Sequence, residues 1–236
     1  MAQGPSLSVP EWDAQFLEGG DWERNGGRQQ TRRFAECFCK RTTIPARFVR
    51  TLADIGCALG DAMPALGERF PGARLFGFDI SPTAIERAQS HYGHLATFTH
   101  ADVRSIPGRF ELIYCSNVLE HLHDWKRVCL DLLQRAEAFA AFLVPFEERI
   151  RLRGGEDGRD HVVSFNKRSF GFLQTRGFRI RQISVFSCPG AWGWDRTKRL
   201  KKAPRNLRRR LKGKQPHYGP RQLLVEVKVP PDVGYR

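Results

Sequence analysis

Acids, glycines and small polar residues recur at the ends of apolar runs in this chain. Asp54-Ile-Gly56-Cys57-Ala-Leu-Gly60-Asp61 closes the first run and Asp79-Ile80 the second. Ala101-Asp102-Val103 follows the third, and Ser116-Asn117 follows the fourth. Glycines between a strand and a helix let backbone pass close to a ligand. Asp79 falls 19 positions after Gly60, where a strand-end acid can accept from both hydroxyls of a ribose. Asp102 can accept from an exocyclic nucleobase amine, while a neighbouring backbone N–H reaches a ring nitrogen. The G-x-G-x-x-G spacing of dinucleotide sites is absent, with Ala58 where its second glycine would fall. A nicotinamide or flavin dinucleotide, whose pyrophosphate needs that close approach, is therefore disfavoured.

These residues need strands that end side by side. The pattern predicts strands at 50–55, 74–79, 95–99, 110–115 and 138–144, and helices at 61–69, from 81, and at about 118–135. Ser81-Pro82 is a strong helix start, with a capping hydroxyl followed by a proline at the first helical position. Alternating strands and helices imply crossovers, a parallel sheet and helices on both faces. A helix at 166–175 and strands at 178–186 and 222–229 follow, which allows an antiparallel final strand. Before the first strand, residues 1–27 read as an irregular lead-in, and 29–41 as a helix with Phe34 and Phe38 on one face.

The segments DIGCALGD, LFGFDIS and HADVRSIPGRFELIYCSNVLEHL resemble the class I S-adenosylmethionine-dependent methyltransferases, in particular the ubiquinone-biosynthesis, sugar and natural-product group. The resemblance spans about residues 50–145. It implies an α/β, Rossmann-like sheet of seven strands, mostly parallel, with the last strand antiparallel. It also implies S-adenosyl-L-methionine as cofactor. By that resemblance Asp54, Gly56, Cys57 and Gly60 would surround its methionine part, and Asp79 would bind the ribose, with Ile80 against the adenine. Asp102 and Val103 would hold the adenine edge, and the Ser116 carbonyl would accept from the cofactor's amino group. Two positions depart from the family pattern, Ala58 for a glycine and Glu111 for an aspartate. Residues 1–45 would form a lead-in and lid helix, and 46–236 the methyltransferase domain. Within the lid, Arg28, Gln29, Gln30 and Thr31 are candidates to meet the methionine carboxylate or the acceptor, and Trp12 and Trp22 to wall the acceptor site.

Methyl transfer is an in-line displacement, and a hydroxyl acceptor also needs a base. His121, after the fourth strand, and His161, after the fifth, are the candidates; His123 would face away. Glu147 and Glu148 could orient the acceptor. His121, His123 and Asp124 do not converge as ligands on a helix, so no metal is expected.

Composition bounds the rest. The chain has 236 residues, 41% hydrophobic and 27% charged, which fits a folded domain. Its six cysteines form no C-x-x-C pair, so reduced thiols are expected; Cys57 and Cys115 read as buried and inert. No run is long enough to span a membrane, and the N-terminus lacks a secretory h-region, so the expected location is cytoplasmic. From residue 151 onward there are 22 Lys+Arg against 6 Asp+Glu, a net +16; residues 1–150 hold 17 and 19, a net −2. The excess sits in a polar insertion at about 188–220. Residues 196–214 alone carry 11 Lys+Arg and no acid. Such a segment can lie peripherally on an anionic membrane or grip RNA phosphates. The resemblance implies a methyltransferase, and the expected acceptor is a small-molecule or glycan hydroxyl. The alternatives are an RNA methyltransferase, or a non-catalytic relic fold that binds nucleic acid or membrane.

Overall fold

The apolar runs pair into one sheet. Its strands are β1 (Thr51–Ile55), β2 (Arg74–Asp79), β3 (Ala96–His100), β4 (Phe110–Ser116), β5 (Ala136–Pro145), β6 (Arg179–Ser187) and β7 (Arg221–Lys228). In this computed structural model the structure describes residues 8–147, 161–189 and 221–230, and positions 207, 208 and 211. The strand order is β3-β2-β1-β4-β5-β7-β6. The first five strands pair in parallel, and β7 runs antiparallel to both β5 and β6.

The alternation along β5 shows why the sheet is covered on both sides. Ala140, Phe142 and Val144 enter one core with Val128, Leu132 and Leu133 of α6 (Trp125–Arg135). Ala141 and Leu143 enter the other, with Phe34 and Phe38 of α3 (Gly27–Cys39) and Leu66 of α4 (Met63–Arg69). Every residue of β5 from Phe139 to Pro145 is buried, as a central strand of a covered sheet requires. Between β2 and β3 runs α5 (Pro82–Tyr92), where the Ala84 N–H donates to Ser81 Oγ at 2.9 Å.

The order reverses at β1, which is followed in sequence by β2 on one side and flanked by β4 on the other. Ligands of open α/β sheets bind at the carboxyl ends of strands beside such a switch point.

Three regions differ from the sequence expectation. The lead-in at 1–27 is helical where described: α1 (Val9–Gln15) and α2 (Asp21–Arg24) precede α3. The signal was a capping box, in which the Ser8 N–H donates to Glu11 Oε2 at 2.7 Å, with Pro10 in the first turn. The helix at 118–135 is two pieces, a 3-10 turn at Leu119–His121 and then α6. The Glu120 carbonyl accepts from the Val162 and Val163 N–H groups at 2.7 and 3.1 Å, so it cannot serve a continuing helix. The helix at 166–175 shrinks to α7 (Phe172–Thr175). Asn166 and Ser169 instead use their side chains on local backbone N–H groups. The basic insertion lies outside the described residues except at 188, 189, 207, 208 and 211, as does Glu148.

Candidate active site

A cavity of about 430 Å³ opens at the carboxyl ends of β1 to β4. Its floor comes from Gly56, Ala58, Asp79, Ile80 and Val103, and its far wall from Asn117, Glu120, His121 and His161. The helices before β1 roof it with Trp12, Phe16, Trp22 and Gln30.

The first loop bends sharply. Gly56 has φ +73° and Gly60 φ +78°. A Cβ on Gly56 would meet Val118 Cγ2 at 2.3 Å, so glycine is demanded by packing as well as by φ. Ala58 also takes a left-handed conformation, φ 49°, which is costly for a residue with a Cβ. Its N–H donates to Asp79 Oδ2 at 2.9 Å, and the Ser81 N–H donates to Asp79 Oδ1 at 3.0 Å. The carboxylate that faces the cavity is thus aimed by two loops. Burial pushes its pKa up, against the pull of those N–H donors. Asp54 lies deeper. It is fully buried, its Oδ2 lacks a hydrogen-bond partner among the described residues, and burial, then the nearby Asp79 charge, raise its pKa to about 8.

The roof is tied to this frame by carboxylates. Asp13 accepts from Ser81 Oγ at 2.6 Å and from Thr83 N and Oγ1 at 3.0 and 2.9 Å, which docks α1 on the start of α5. Arg28 of α3 forks onto buried Asp61, Nε to Oδ2 at 3.1 Å and Nη2 to Oδ1 at 3.1 Å, and Tyr92 Oη donates to the same carboxylate at 2.8 Å. Arg87 donates to Glu23 at 2.7 Å and to the Phe16 carbonyl at 2.8 Å.

The far wall brings together residues from two segments. Glu120 is fully buried. Its Oε1 lies 3.9 Å from His161 Nε2. The rings of His121 and His161 meet edge to face at 4.7 Å, and Trp12 meets His121 the same way at 4.9 Å.

Among the residues singled out in the sequence, Gly56, Asp79, Ile80, Val103, His121 and His161 line the cavity. Asp54, Cys57, Gly60, Asp102 and Ser116 do not. Asp102 is turned aside: its Oδ1 accepts from its own loop's Arg104 N–H at 2.8 Å and faces the Arg104 guanidinium at 3.4 Å. Asp readily closes such a turn on the backbone two residues ahead. Cys57 and Cys115 are buried, and burial drives both thiols well above their usual pKa. Arg28 is held by Asp61, while Gln30 and the two tryptophans face the cavity. Glu147 pairs with Arg221 at 3.2 Å. Sequence reading missed Asn117 and Glu120, which sit beside the chosen Ser116 and His121. Their signal was the strand-to-turn position they share.

A family model described as a methyltransferase domain matches residues 52–136. The trans-aconitate 2-methyltransferase of Streptomyces coelicolor is 36% identical over 105 residues, covering 42% of this chain and 32% of that protein. Its counterpart in Deinococcus radiodurans is 31% identical over 85 residues, covering 36% and 33%. Magnesium protoporphyrin IX methyltransferase from Synechocystis PCC 6803, solved with bound S-adenosylmethionine, superposes with a TM-score of 0.54 at 16% identity, covering 89% of this chain and 83% of that one. Over residues 52–136 the chain is thus similar to methyltransferase domains, and its fold is shared with solved S-adenosylmethionine-dependent methyltransferases. It spans about a third of the length of the curated relatives it matches. The same fold also serves a [4+2]-cyclase, SpnF, with a TM-score of 0.64 at 14% identity over 97% of this chain and 98% of that one.

The Synechocystis methyltransferase holds S-adenosylmethionine, and the cavity of this chain suits a molecule of that kind. Its volume lies in the range of roughly 300–1,000 Å³ usual for small-molecule sites. Its lining is rich in acceptors, notably the Asp79 carboxylate and Asn117 Oδ1, which has no hydrogen-bond partner among the described residues. Ribose hydroxyls and an ammonium group are donors that such a lining can satisfy. The apolar Ile80, Val103 and Ile106 offer a surface for a flat base.

Proposed function

We propose that this chain binds S-adenosyl-L-methionine in the cavity and transfers its methyl group to an oxygen of a small-molecule or glycan acceptor, most simply a hydroxyl. The observation that carries this reading is the division of one cavity into two chemistries. Asp79, Ile80 and Val103 lie on the β2–β3 side, and Glu120, His121 and His161 on the β4–β5 side. The trans-aconitate relatives support a small acceptor.

When bound, the cofactor supplies an electrophilic methyl on a sulfonium. Asp79 would hold the ribose hydroxyls, and Ile80 and Val103 would offer the apolar surface for the adenine. The loop of Asp54, Gly56, Cys57 and Gly60 shapes the methionine end. Asp54 lies beneath that loop as a buried carboxyl held protonated up to about 8. Asp102 and Ser116 stand outside the lining and hold two residues that belong to it, Asp102 accepting from the Arg104 N–H and Ser116 Oγ from Asn117 Nδ2. The roof of Trp12, Phe16 and Trp22 excludes water, which strengthens every electrostatic contact beneath it. His121 and His161 stand where an acceptor must lose its proton. The Glu120 carboxyl stands beside them, its Oε1 3.9 Å from His161 Nε2.

The test is turnover. Formation of S-adenosylhomocysteine is measured with panels of hydroxylated small molecules, glycans, carboxylates and RNA. Turnover on a small oxygen acceptor, reduced by roughly 10²-fold or more in His161→Ala, is the expected result. Transfer confined to RNA, and lost steeply as salt rises, would make the basic 196–214 segment the acceptor-binding element and overturn the small-molecule reading.

A further inference from the structure

Spacing along the chain keeps Glu120-His121 and His161 forty positions apart, yet the fold joins them. The link is the Glu120 carbonyl, which takes two N–H groups from the residues just after His161. One ligand atom from each of Glu120, His121 and His161 then lies within 4.8 Å of the other two. All three residues line the cavity. His123 is exposed, and Asp124 pairs with Arg104 at 2.9 Å. The neighbours considered as ligands from sequence are thus turned elsewhere, and residues from a second segment take their place.

We propose that Glu120, His121 and His161 form a binding site for a divalent first-row transition cation, open on the acceptor side of the cavity. Two imidazole nitrogens and one carboxylate oxygen are a borderline donor set, suited to zinc, manganese, iron or cobalt. Magnesium and calcium prefer oxygen ligands throughout. Bonds of about 2.0–2.2 Å would draw the three donors together by roughly an ångström, within the reach of side-chain rotation. Three protein ligands leave positions for an outside oxygen, the pattern of catalytic rather than structural cation sites. An acceptor hydroxyl placed there is acidified by the cation, and its proton leaves through the open acceptor side before the oxygen attacks; with the cation bound, His121 and His161 serve as ligands in place of the base role. The inference rests on the reading of this cavity as an acceptor site. It specifies that acceptor as one whose oxygen can reach a metal ion.

The 236-residue chain is stripped with chelator and titrated separately with Zn²⁺, Mn²⁺ and Co²⁺ by calorimetry, with visible absorption recorded for Co²⁺. S-adenosylhomocysteine binding is measured on every sample. The expected result is one tight cation per chain, weakened roughly a hundredfold in His161→Ala and Glu120→Gln, with S-adenosylhomocysteine affinity kept. Where His161→Ala fails to fold, His161→Gln keeps the bulk and loses the imidazole. The neighbouring thiols Cys37 and Cys188, Sγ to Sγ 2.8 Å, are the competing soft site. Cys37→Ser/Cys188→Ser should leave cation binding intact. No cation retained by the wild type, affinity unchanged in the His161 and Glu120 variants, or binding lost with the thiols would each overturn the proposal. Cation binding in a protein that ignores S-adenosylhomocysteine would leave this site standing and refute the cofactor reading instead.

Discussion

Arg28 separates two accounts of the lid. A cofactor-reading arginine would contact the methionine carboxylate and contribute to affinity. In the structure it is a clamp. Its guanidinium forks onto Asp61, which is 1% exposed, while Arg28 itself is about one-third exposed. Hydrogen bonding to Asp61 is the main cause of the raised Arg28 pKa. Breaking a buried pair by removing one partner costs about 3–5 kcal/mol because the other charge is stranded. Here Arg28 is partly solvated, Tyr92 Oη still donates to Asp61, and Arg32 Nη2 stands 3.9 Å away. We therefore expect Arg28→Ala to cost about 2 kcal/mol. In a chain of this length that lowers Tm by roughly 4–8 °C. The assay is urea denaturation of Arg28→Ala, Asp61→Ala and the double variant, with S-adenosylhomocysteine titrations of each. The cycle should show a coupling of about 1–2 kcal/mol. A stability change under about 0.5 kcal/mol together with a large loss of cofactor affinity would refute the clamp.

Three further outcomes follow from the same geometry. The unfolded chain releases the Asp54 proton near 3.8, but the folded protein holds it to about 8. This group therefore favours folding at low pH and counts against it increasingly as pH rises across that window. Asp54→Asn should flatten that decline in apo-protein melting curves; an unchanged pH slope would refute the assignment. Asp13 behaves oppositely. Its hydrogen bond with Ser81 is the largest cause of a pKa below 3.8, so its contribution is present above that pH and fades as pH falls through the lowered value. Asp13→Asn should weaken lid docking at neutral pH, seen as faster amide exchange over 9–15, and this difference should vanish in acid. Ala58→Gly relieves a left-handed φ and should stabilise by about 0.5–1 kcal/mol, read as a Tm rise of about 1–4 °C; a fall would show that the buried methyl matters more.

The strand ends were legible because they combine two signals that rarely mislead together. β1, β2, β4 and β5 are largely apolar, and each runs into a residue that breaks the pattern, Gly56 after β1 and Asp79, Ser116 and Pro145 at the ends of the others. Asp79 and Gly56 could thus be placed on the cavity from spacing alone. Asp102 could not, because the choice between facing a ligand and capturing the Arg104 N–H is settled by a local turn with no distinct composition. The short helices of the lid were obscured by Gly19, Gly20 and Gly26, which break any 3.6-residue period. Glu120 was hidden for a different reason. Its partner segment returns forty residues later, and only tertiary hydrogen bonds from Val162 and Val163 reveal that it is buried beside His161.

The central claim is that the cavity at the switch point holds the cofactor through Asp79. Calorimetric titration of the 236-residue chain with S-adenosylhomocysteine, beside Asp79→Ala and Asp79→Asn, tests it most directly. The account predicts micromolar binding in the wild type, with Kd raised at least about tenfold in Asp79→Asn and binding abolished in Asp79→Ala. Wild-type affinity in both folded variants, or no binding by the wild type, would contradict it.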